Sequence, residues 1–131
     1  GAHISEGVRL PSGEKITDIM SKIKHENLIG LMLSCISPEN FELNLQEIKS
    51  LGVPFGFKLN GFKLTNPKSG YANNYKKSSS GNPNEFLGKR TDLTPEKFAE
   101  FAKKFKDAGA TILGGCCETG PKHIKEISKL K

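Results

Sequence analysis

The 131-residue sequence contains no tryptophan, two methionines and only three cysteines. An odd number of cysteines, without a charged start followed by an apolar block, does not fit the disulfide framework of a secreted domain. Its uninterrupted apolar runs are also too short to span a bilayer. We therefore expect a cytoplasmic protein with no membrane contact, whose cysteines serve metal binding or catalysis.

Arginine is also scarce, because only Arg9 and Arg90 accompany the many lysines that produce a net charge of +6. Nucleic-acid-binding surfaces usually cluster their charge and interleave arginine or aromatic residues. Here the lysines recur where predicted helices would face water, for example at Lys103, Lys104 and Lys106. The charge pattern therefore predicts a solvated surface and no nucleic-acid partner.

One structural unit recurs along the chain. Residues 28–33 form a short apolar run without polar alternation, which is typical of a strand buried on both faces. Ser37 and Pro38 then match an N-cap and a first helical residue, and Gly52 is suited to end that helix. Residues 53–59 predict the next strand.

The same signals return further on. Thr94 precedes a second Pro-Glu helix start, residues 111–113 predict a third strand, and Gly120 opens a last helix. Residues 16–23 predict a first amphipathic helix, with Ser12 as its N-cap. The chain is thus one helix followed by three strand–helix units.

Alternating strands and helices predict an α/β fold with parallel strands and right-handed crossovers. A doubly wound sheet and a (β/α)₈ barrel both satisfy this order. A long loop over about residues 60–93 follows the second strand. Such a loop serves either as a lid or donor-site wall, or as a plain surface excursion.

The cysteines favour the barrel. Cys35 ends the first predicted strand, and Cys116 and Cys117 end the third, so all three lie at the carboxyl edge where α/β folds bind ligands. An open sheet would hold positions two strands apart at about 10 Å unless the backbone bends. Gly114 and Gly115 are expected to supply unusual backbone angles that turn both neighbouring cysteines towards one metal.

Three thiolates suit zinc, which prefers four ligands, so one position would stay open for a substrate thiol. Zn²⁺ is therefore the predicted cofactor, with Cys35, Cys116 and Cys117 as its ligands. Two alternatives remain open. The cysteines could be inert core residues, or the adjacent pair could form a strained disulfide, which would leave Cys35 unexplained.

Residues 114–124, which begin Gly-Gly-Cys-Cys and continue Glu-Thr-Gly-Pro-Lys-His-Ile, resemble the closing signature of the homocysteine S-methyltransferase family. This family includes the betaine–homocysteine methyltransferases and the homocysteine domain of cobalamin-dependent methionine synthase. Residues 94–102 and 107–111 are similar to its penultimate helix and last strand, and Cys35 resembles its first zinc cysteine.

The resemblance implies a barrel, one zinc ion and methyl transfer from a small donor to homocysteine, giving methionine. The family usually has asparagine before its first zinc cysteine, where this chain has Ser34. Ser34 can still donate one hydrogen bond to the amino acid substrate. Asn60, at a strand end beside the long loop, is the second expected substrate contact.

Length sets a limit on this picture, because a complete barrel needs eight strands in about 250 residues. Residues 1–131 match only the C-terminal half, from the end of strand five to helix eight, with three complete βα units after a first helix. We expect a fragment, or a half-barrel that self-associates or pairs with the missing half to cover its sheet edges. The alternative function is a non-catalytic zinc-binding half-barrel or assembly module that needs a partner chain.

Overall fold

A computed structural model describes residues 9–23, 26–66, 68 and 85–130. The described elements follow the predicted order of one helix and then three strand–helix units. They are α1 (Ile16–Lys22), β1 (Leu31–Ile36), α2 (Pro38–Ser50), β2 (Phe55–Leu59), α3 (Pro95–Asp107), β3 (Ile112–Gly115) and α4 (Pro121–Ile127), with 3₁₀ turns at Glu85–Leu87 and Ser128–Leu130.

The three strands form a parallel sheet in the order β1-β2-β3. The predicted α/β fold with parallel strands is therefore confirmed. Among the described residues the sheet is open, with β1 and β3 as its edges. Closure into a barrel stays a prediction.

The core lies between the sheet and two of the helices. The ring of Phe57 in β2 packs against Phe41 of α2 and Phe105 of α3, with centroids 5.2 and 5.7 Å away, and all three rings are fully buried. Side chains alternate along a strand. Phe57 and Leu33 therefore face the helices, and the residues next to them face the opposite side of the sheet.

Both predicted Pro-Glu helix starts are confirmed. Ser37 accepts a hydrogen bond from the backbone N–H of Asn40 at 3.0 Å, and Thr94 accepts one from that of Lys97 at 3.3 Å. Side-chain caps of this kind satisfy N–H groups that the first helical turn leaves without partners. Gly52 follows α2 in the left-handed region, with φ +66°.

The predicted cap of the first helix is wrong. Lys15 occupies the N-cap position of α1 and makes no side-chain capping bond. Ser12 lies earlier, in a turn where the N–H of Gly13 donates to Leu10 O at 2.8 Å, and its hydroxyl donates to the Glu14 carboxylate. Because of this turn, α1 begins only at Ile16, too far along the chain for the Ser12 side chain to cap it.

Two predicted strand starts also shift. The sequence pattern predicts strands from residues 28 and 53, but β1 begins at Leu31 and β2 at Phe55. Pro54 has no N–H to donate to a ladder, and its carbonyl accepts the first bond of the pair from Leu31 N at 2.8 Å. Ile29 stays outside the sheet and is 87% exposed.

The long loop begins and ends at a paired neck, which we define as residues 61–64 and 87–90. Phe62 and Lys89 form an antiparallel bridge, and the N–H of Arg90 donates to Gly61 O at 2.9 Å. Arg90 also forms ion pairs with Glu39 at the start of α2 and with Asp92, at 2.8 and 2.7 Å. Half of the predicted lid or surface excursion, namely residues 67 and 69–84, lies outside the described residues. None of the described helices has the length and apolar character needed to cross a membrane.

Candidate metal centre

Cys35 occupies a bulge in β1. The register pairs Ser34 with Lys58 and then Ile36 with Leu59, so Cys35 is skipped. Its φ is +53°, in the left-handed region that residues with a Cβ seldom adopt. In a regular strand Cys35 would point to the helix side, but Ile36 takes that position and is buried. The bulge therefore turns the Cys35 side chain away from the core.

Asn60, directly after β2, is hydrogen-bonded to this bulge. Its backbone N–H donates to Ile36 O at 2.8 Å, and its side-chain Nδ2 donates to Cys35 O at 2.6 Å. Its Oδ1 accepts from the N–H of Phe62 at 3.2 Å. Asn60 is only 5% exposed. Both ends of its amide thus have protein partners, and its predicted contact with substrate stays a prediction.

Cys116 and Cys117 follow the end of β3. The N–H of Cys116 donates to Leu59 O at 2.7 Å, which continues the ladder by one bond. The chain then turns, because the N–H and hydroxyl of Thr119 both donate to Cys116 O, at 3.2 and 2.7 Å. Glu118, in this turn, has φ +61°. The turn allows neighbouring cysteines to project to the same side.

The role predicted for the two glycines is wrong. Neither Gly114 nor Gly115 has a positive φ, so unusual backbone angles are not what they supply. A Cβ on Gly115 would overlap with Thr119 Oγ1 and would lie 3.1 Å from Ile124 Cδ1. Gly115 is needed because Thr119 folds back against it.

A second set of contacts fixes the turn from the side of the neck. The N–H of Gly61 donates to Cys117 O at 3.0 Å. Lys89 forms an ion pair with Glu118 at 3.3 Å. The neck therefore joins the end of β2 to the turn that carries two of the three cysteines.

These local features bring the three predicted cysteines together. The Cys35 and Cys117 sulfurs lie 3.6 Å apart, those of Cys116 and Cys117 3.9 Å apart, and all three lie within 4.8 Å of one another. All three are reduced, and 3.9 Å far exceeds the disulfide bond length of about 2.05 Å. Because a bulge and a turn produce this convergence, it does not by itself distinguish an open sheet from a barrel.

The cluster fits zinc. Two sulfurs bound tetrahedrally at about 2.3 Å from a zinc ion lie about 3.8 Å apart, close to the two shorter separations found here. Thiolates are soft ligands that select zinc over magnesium or calcium. Three protein ligands also leave a fourth position for a substrate or water.

Two of the three thiols, those of Cys35 and Cys117, have raised pKa values. Burial, together with hydrogen bonds and charge from Cys116 and Cys117, raises the pKa of Cys35 from 9.0 to about 12. Burial likewise raises the pKa of Cys117. Because a metal binds thiolates, it must displace protons from this cluster.

A model of the family described as homocysteine S-methyltransferase matches residues 2–130. The chain belongs to this family. It is 27% identical over 95% of its length to homocysteine S-methyltransferase 2 of Arabidopsis thaliana, and 29% identical over 98% to homocysteine S-methyltransferase 1 of Saccharomyces cerevisiae. It is also 28% identical over 95% of its length to a selenocysteine Se-methyltransferase of Brassica oleracea. The alignments cover 33%, 37% and 32% of these relatives, so the chain spans about a third of their length. No solved structure matches significantly.

Ser34, which replaces the asparagine usual in the homocysteine S-methyltransferase family, lies half-buried on the face of the sheet away from the helices. In the same row are Lys58 of β2 and Gly114 of β3. A Cβ on Gly114 would lie 3.4 Å from Lys58 Cγ, so the lysine stem extends over the glycine. Lys58 is half-buried and forms no ion pair with any described residue.

Sequence reasoning missed Lys58. The signal was available, because it is a lysine within the apolar strand Phe55–Leu59. It directly follows the fully buried Phe57, so alternation places it on the opposite face of the sheet, away from the helices. A lysine that is half-buried on that face is a candidate ligand contact, because lysine is seldom buried without a partner.

Proposed function

We propose that this chain carries the acceptor-activating part of a zinc-dependent homocysteine S-methyltransferase. The reaction transfers a methyl group from a small donor to the sulfur of homocysteine and yields methionine. One observation carries the proposal: three reduced thiols lie within 4.8 Å of one another at the carboxyl edge of a parallel sheet. The names of the Arabidopsis and yeast relatives support the reaction class.

In this proposal Cys35, Cys116 and Cys117 hold the ion. When bound, zinc supplies Lewis-acid activation that keeps a thiol deprotonated at neutral pH. The three cysteines are each half-buried, which limits competition from water at their sulfurs. The bulge and the turn place the ligands before the ion arrives, so little reorganisation is needed on binding.

Ser34 and Lys58 are the residues proposed to bind the amino acid part of the acceptor. Lys58 has no acidic partner among the described residues, and an unpaired half-buried cation favours an anionic ligand. A carboxylate would provide its counter-charge, and the Ser34 hydroxyl can donate a hydrogen bond beside it. Asn60 is the other predicted substrate contact, although its amide already bonds to the protein.

The acceptor class includes selenols in this proposal. A Brassica relative is named a selenocysteine Se-methyltransferase, and a site that activates a thiol suits the related selenol. Betaine, a sulfonium compound such as S-methylmethionine, and a methylated cofactor remain as donors to be compared.

We also propose that the described sheet is the C-terminal half of a (β/α)₈ barrel, with residues 1–131 running from the end of strand five to helix eight. The order of elements, the parallel pairing and the helices packed on one face support this assignment. Neither β1 nor β3 has a second partner strand within the described residues. Another half-barrel, or a second copy of the chain, would pair with these edges.

A second candidate is a zinc-binding half-barrel or assembly module without catalysis of its own. The observation in its favour is coverage, since the chain spans about a third of the relatives that it matches. A barrel gathers its substrate contacts from the ends of several strands. Three strands supply only part of such a site.

Two measurements test these candidates: the first tests the metal centre that both require, and the second separates them. The first is zinc content after chelation, reloading and gel filtration, with one zinc expected per chain. Cys35→Ala and Cys116→Ala are expected to lose the metal, and Ser34→Ala, a neighbour that is no ligand, is expected to retain it. If wild type and the cysteine variants carry equal zinc, the metal centre is refuted.

The second measurement is methionine formation from homocysteine with each donor class in turn, and Se-methylselenocysteine formation from selenocysteine. Product that depends on the three cysteines supports the enzyme. One bound zinc with no product from any donor supports the non-catalytic module instead.

A further inference from the structure

We infer that Asn60 is a positioning residue of the metal centre, which holds Cys35 in the bulge conformation that directs its sulfur towards Cys117. This inference rests on the proposed function only for the identity of the bound metal. The geometry that it explains consists of the hydrogen bonds between Asn60 and the Cys35–Ile36 backbone and the 3.6 Å separation of the Cys35 and Cys117 sulfurs. It assigns to Asn60 a role other than the substrate contact expected from its sequence position.

The conformation of Cys35 needs support from outside its own strand. A residue with a Cβ is disfavoured at φ +53°. The bulge also removes Cys35 from the ladder, so no partner residue in β2 faces it. Only contacts that persist in the folded protein keep such a residue in place.

Asn60 supplies these contacts on both carbonyls that follow the bulge. Its Nδ2 donates to Cys35 O at 2.6 Å, and its backbone N–H donates to Ile36 O at 2.8 Å. Together these bonds fix the orientation of two successive peptide groups. The Cys35 side chain branches from the backbone between Ser34, which is still paired with β2, and these two fixed peptide groups. Its direction is therefore fixed as well.

The amide itself is held firmly. Its Oδ1 accepts from Phe62 N–H at 3.2 Å, which orients the Nδ2 end towards Cys35. Because Asn60 is almost fully buried, water cannot readily replace a lost bond, and an unpaired carbonyl would remain. The position requires a donor and an acceptor in one short planar group, which only asparagine provides at this length.

The same Nδ2 lies 3.8 Å from the Cys35 sulfur. A donor at this place interacts weakly with the ligand atom and orients it. Outer groups that hydrogen-bond to metal ligands commonly change metal affinity by about 10- to 100-fold when they are mutated. Asn60 thus contacts the backbone and the sulfur of one ligand from a neighbouring strand.

The first test measures the metal. Asn60→Asp keeps the size of the side chain but removes the donor, and Asn60→Ala removes the whole amide. The control is Asn44→Asp in α2, because Asn44 is likewise buried and its Nδ2 likewise donates to a backbone carbonyl, Asn40 O, at 2.6 Å. We expect both Asn60 variants to bind zinc about 10- to 100-fold more weakly in competition with a chelator. Their Co²⁺ complexes are expected to have altered thiolate charge-transfer bands, whereas Asn44→Asp matches wild type. Wild-type affinity and spectra in both Asn60 variants would overturn the inference.

The second test needs no metal and detects positioning directly. Glycine adopts φ +53° without strain, so Cys35→Gly removes the need to hold a left-handed residue. We expect Asn60→Asp to lower the melting temperature of the metal-free chain by less in the Cys35→Gly background than in wild type. Equal losses in the two backgrounds would show that Asn60 is only a buried polar group. If wild type binds neither zinc nor cobalt, the proposed function fails, and this cycle still decides the role of Asn60.

Discussion

The sulfurs of Cys35 and Cys117 lie 3.6 Å apart, although 82 residues separate them and β2 lies between their strands. Regular parallel strands would hold those positions about 10 Å apart. Two irregularities remove this distance: the bulge that turns Cys35 away from the core, and the turn with a left-handed Glu118 after β3. The metal centre is therefore built from local departures from regular sheet geometry.

Substitution of Gly114 and Gly115 tests whether the turn after β3 depends on the close approach of Thr119 to Gly115. We predict that Gly115→Ala destabilises the fold by about 1–3 kcal/mol and weakens zinc binding, because its Cβ would overlap with Thr119 Oγ1. Gly114→Ala is the matched control, since its Cβ would meet nothing closer than 3.4 Å. Urea unfolding and zinc titration of both variants measure the difference. Equal effects at the two positions would contradict this account of the turn.

The two confirmed helix caps differ in what else they bind. Thr94 caps α3, and its hydroxyl also bonds to Glu96 in the exposed first turn of the same helix. Thr94→Ala is therefore predicted to cost about 1 kcal/mol, the usual value for a lost cap. Ser37 caps α2, is buried, and its hydroxyl also donates to Thr65 O in the long loop. Ser37→Ala should therefore cost about 2 kcal/mol, because it leaves a second group without a partner. Denaturant unfolding of the pair tests the ranking, and a larger loss at Thr94 would reverse it.

Alkaline pH should destabilise the metal-free protein through Cys35. Folding raises the pKa of this thiol from 9.0 to about 12, so the folded state retains a proton that the unfolded chain releases. The resulting stability is fully present below pH 9 and is lost as the pH rises towards 12. Melting temperatures across this range should fall more steeply for wild type than for Cys35→Ser. Parallel curves would show that the thiol makes no such contribution.

Lys58 should govern affinity for the acceptor. We predict that Lys58→Met weakens homocysteine binding by about 10- to 100-fold, because a charge-assisted bond to the carboxylate is lost. Lys58→Arg retains the charge and should lose less. Calorimetry on the zinc-loaded protein measures the affinity, and unchanged zinc content shows that the metal site is intact. Wild-type affinity in Lys58→Met would remove this residue from the proposed substrate site.

The open edges of the sheet predict association. β1 and β3 have no further partner strand among the described residues, and Ile112 on β3 is 38% exposed. Exposed strand edges pair with other chains unless they are covered. Sedimentation velocity at micromolar concentration should therefore show dimers or larger species. A compact, stable monomer would contradict both this prediction and the proposed half-barrel.

The sequence was sufficient for features whose causes are local. The Ser37 and Thr94 helix starts were predictable because cap, proline and acid lie within three residues, and the three cysteines because they follow apolar runs. The Ser12 cap failed because a turn intervenes between it and α1. A local sequence pattern shows which structure its residues favour. It failed at Ser12 because a neighbouring turn competes with the helix for the same residues.

The bulge at Cys35 could not be read from the sequence. It depends on the pairing of β1 with β2 and on Asn60, which lies 25 residues further along the chain. The role of Gly115 was hidden for a similar reason, because its close neighbour Thr119 approaches only once the turn has formed. Lys58 is a candidate substrate contact because it is paired with Ser34 in the sheet. That pairing also depends on the strand register, which the sequence does not specify.

The neck at the base of the long loop separates two parts of the chain that are constrained differently. The part outside the loop must keep its conformation to hold the metal ligands, whereas the loop itself can change. Gly61 on one side of the neck bonds to Cys117 O, and Lys89 on the other side pairs with Glu118. Insertions, deletions or substitutions between residues 66 and 85 would therefore lie beyond the paired neck. They would not displace the turn that carries Cys116 and Cys117. A protein family can use such a junction to vary the sequence and length of one loop while its metal ligands keep their positions.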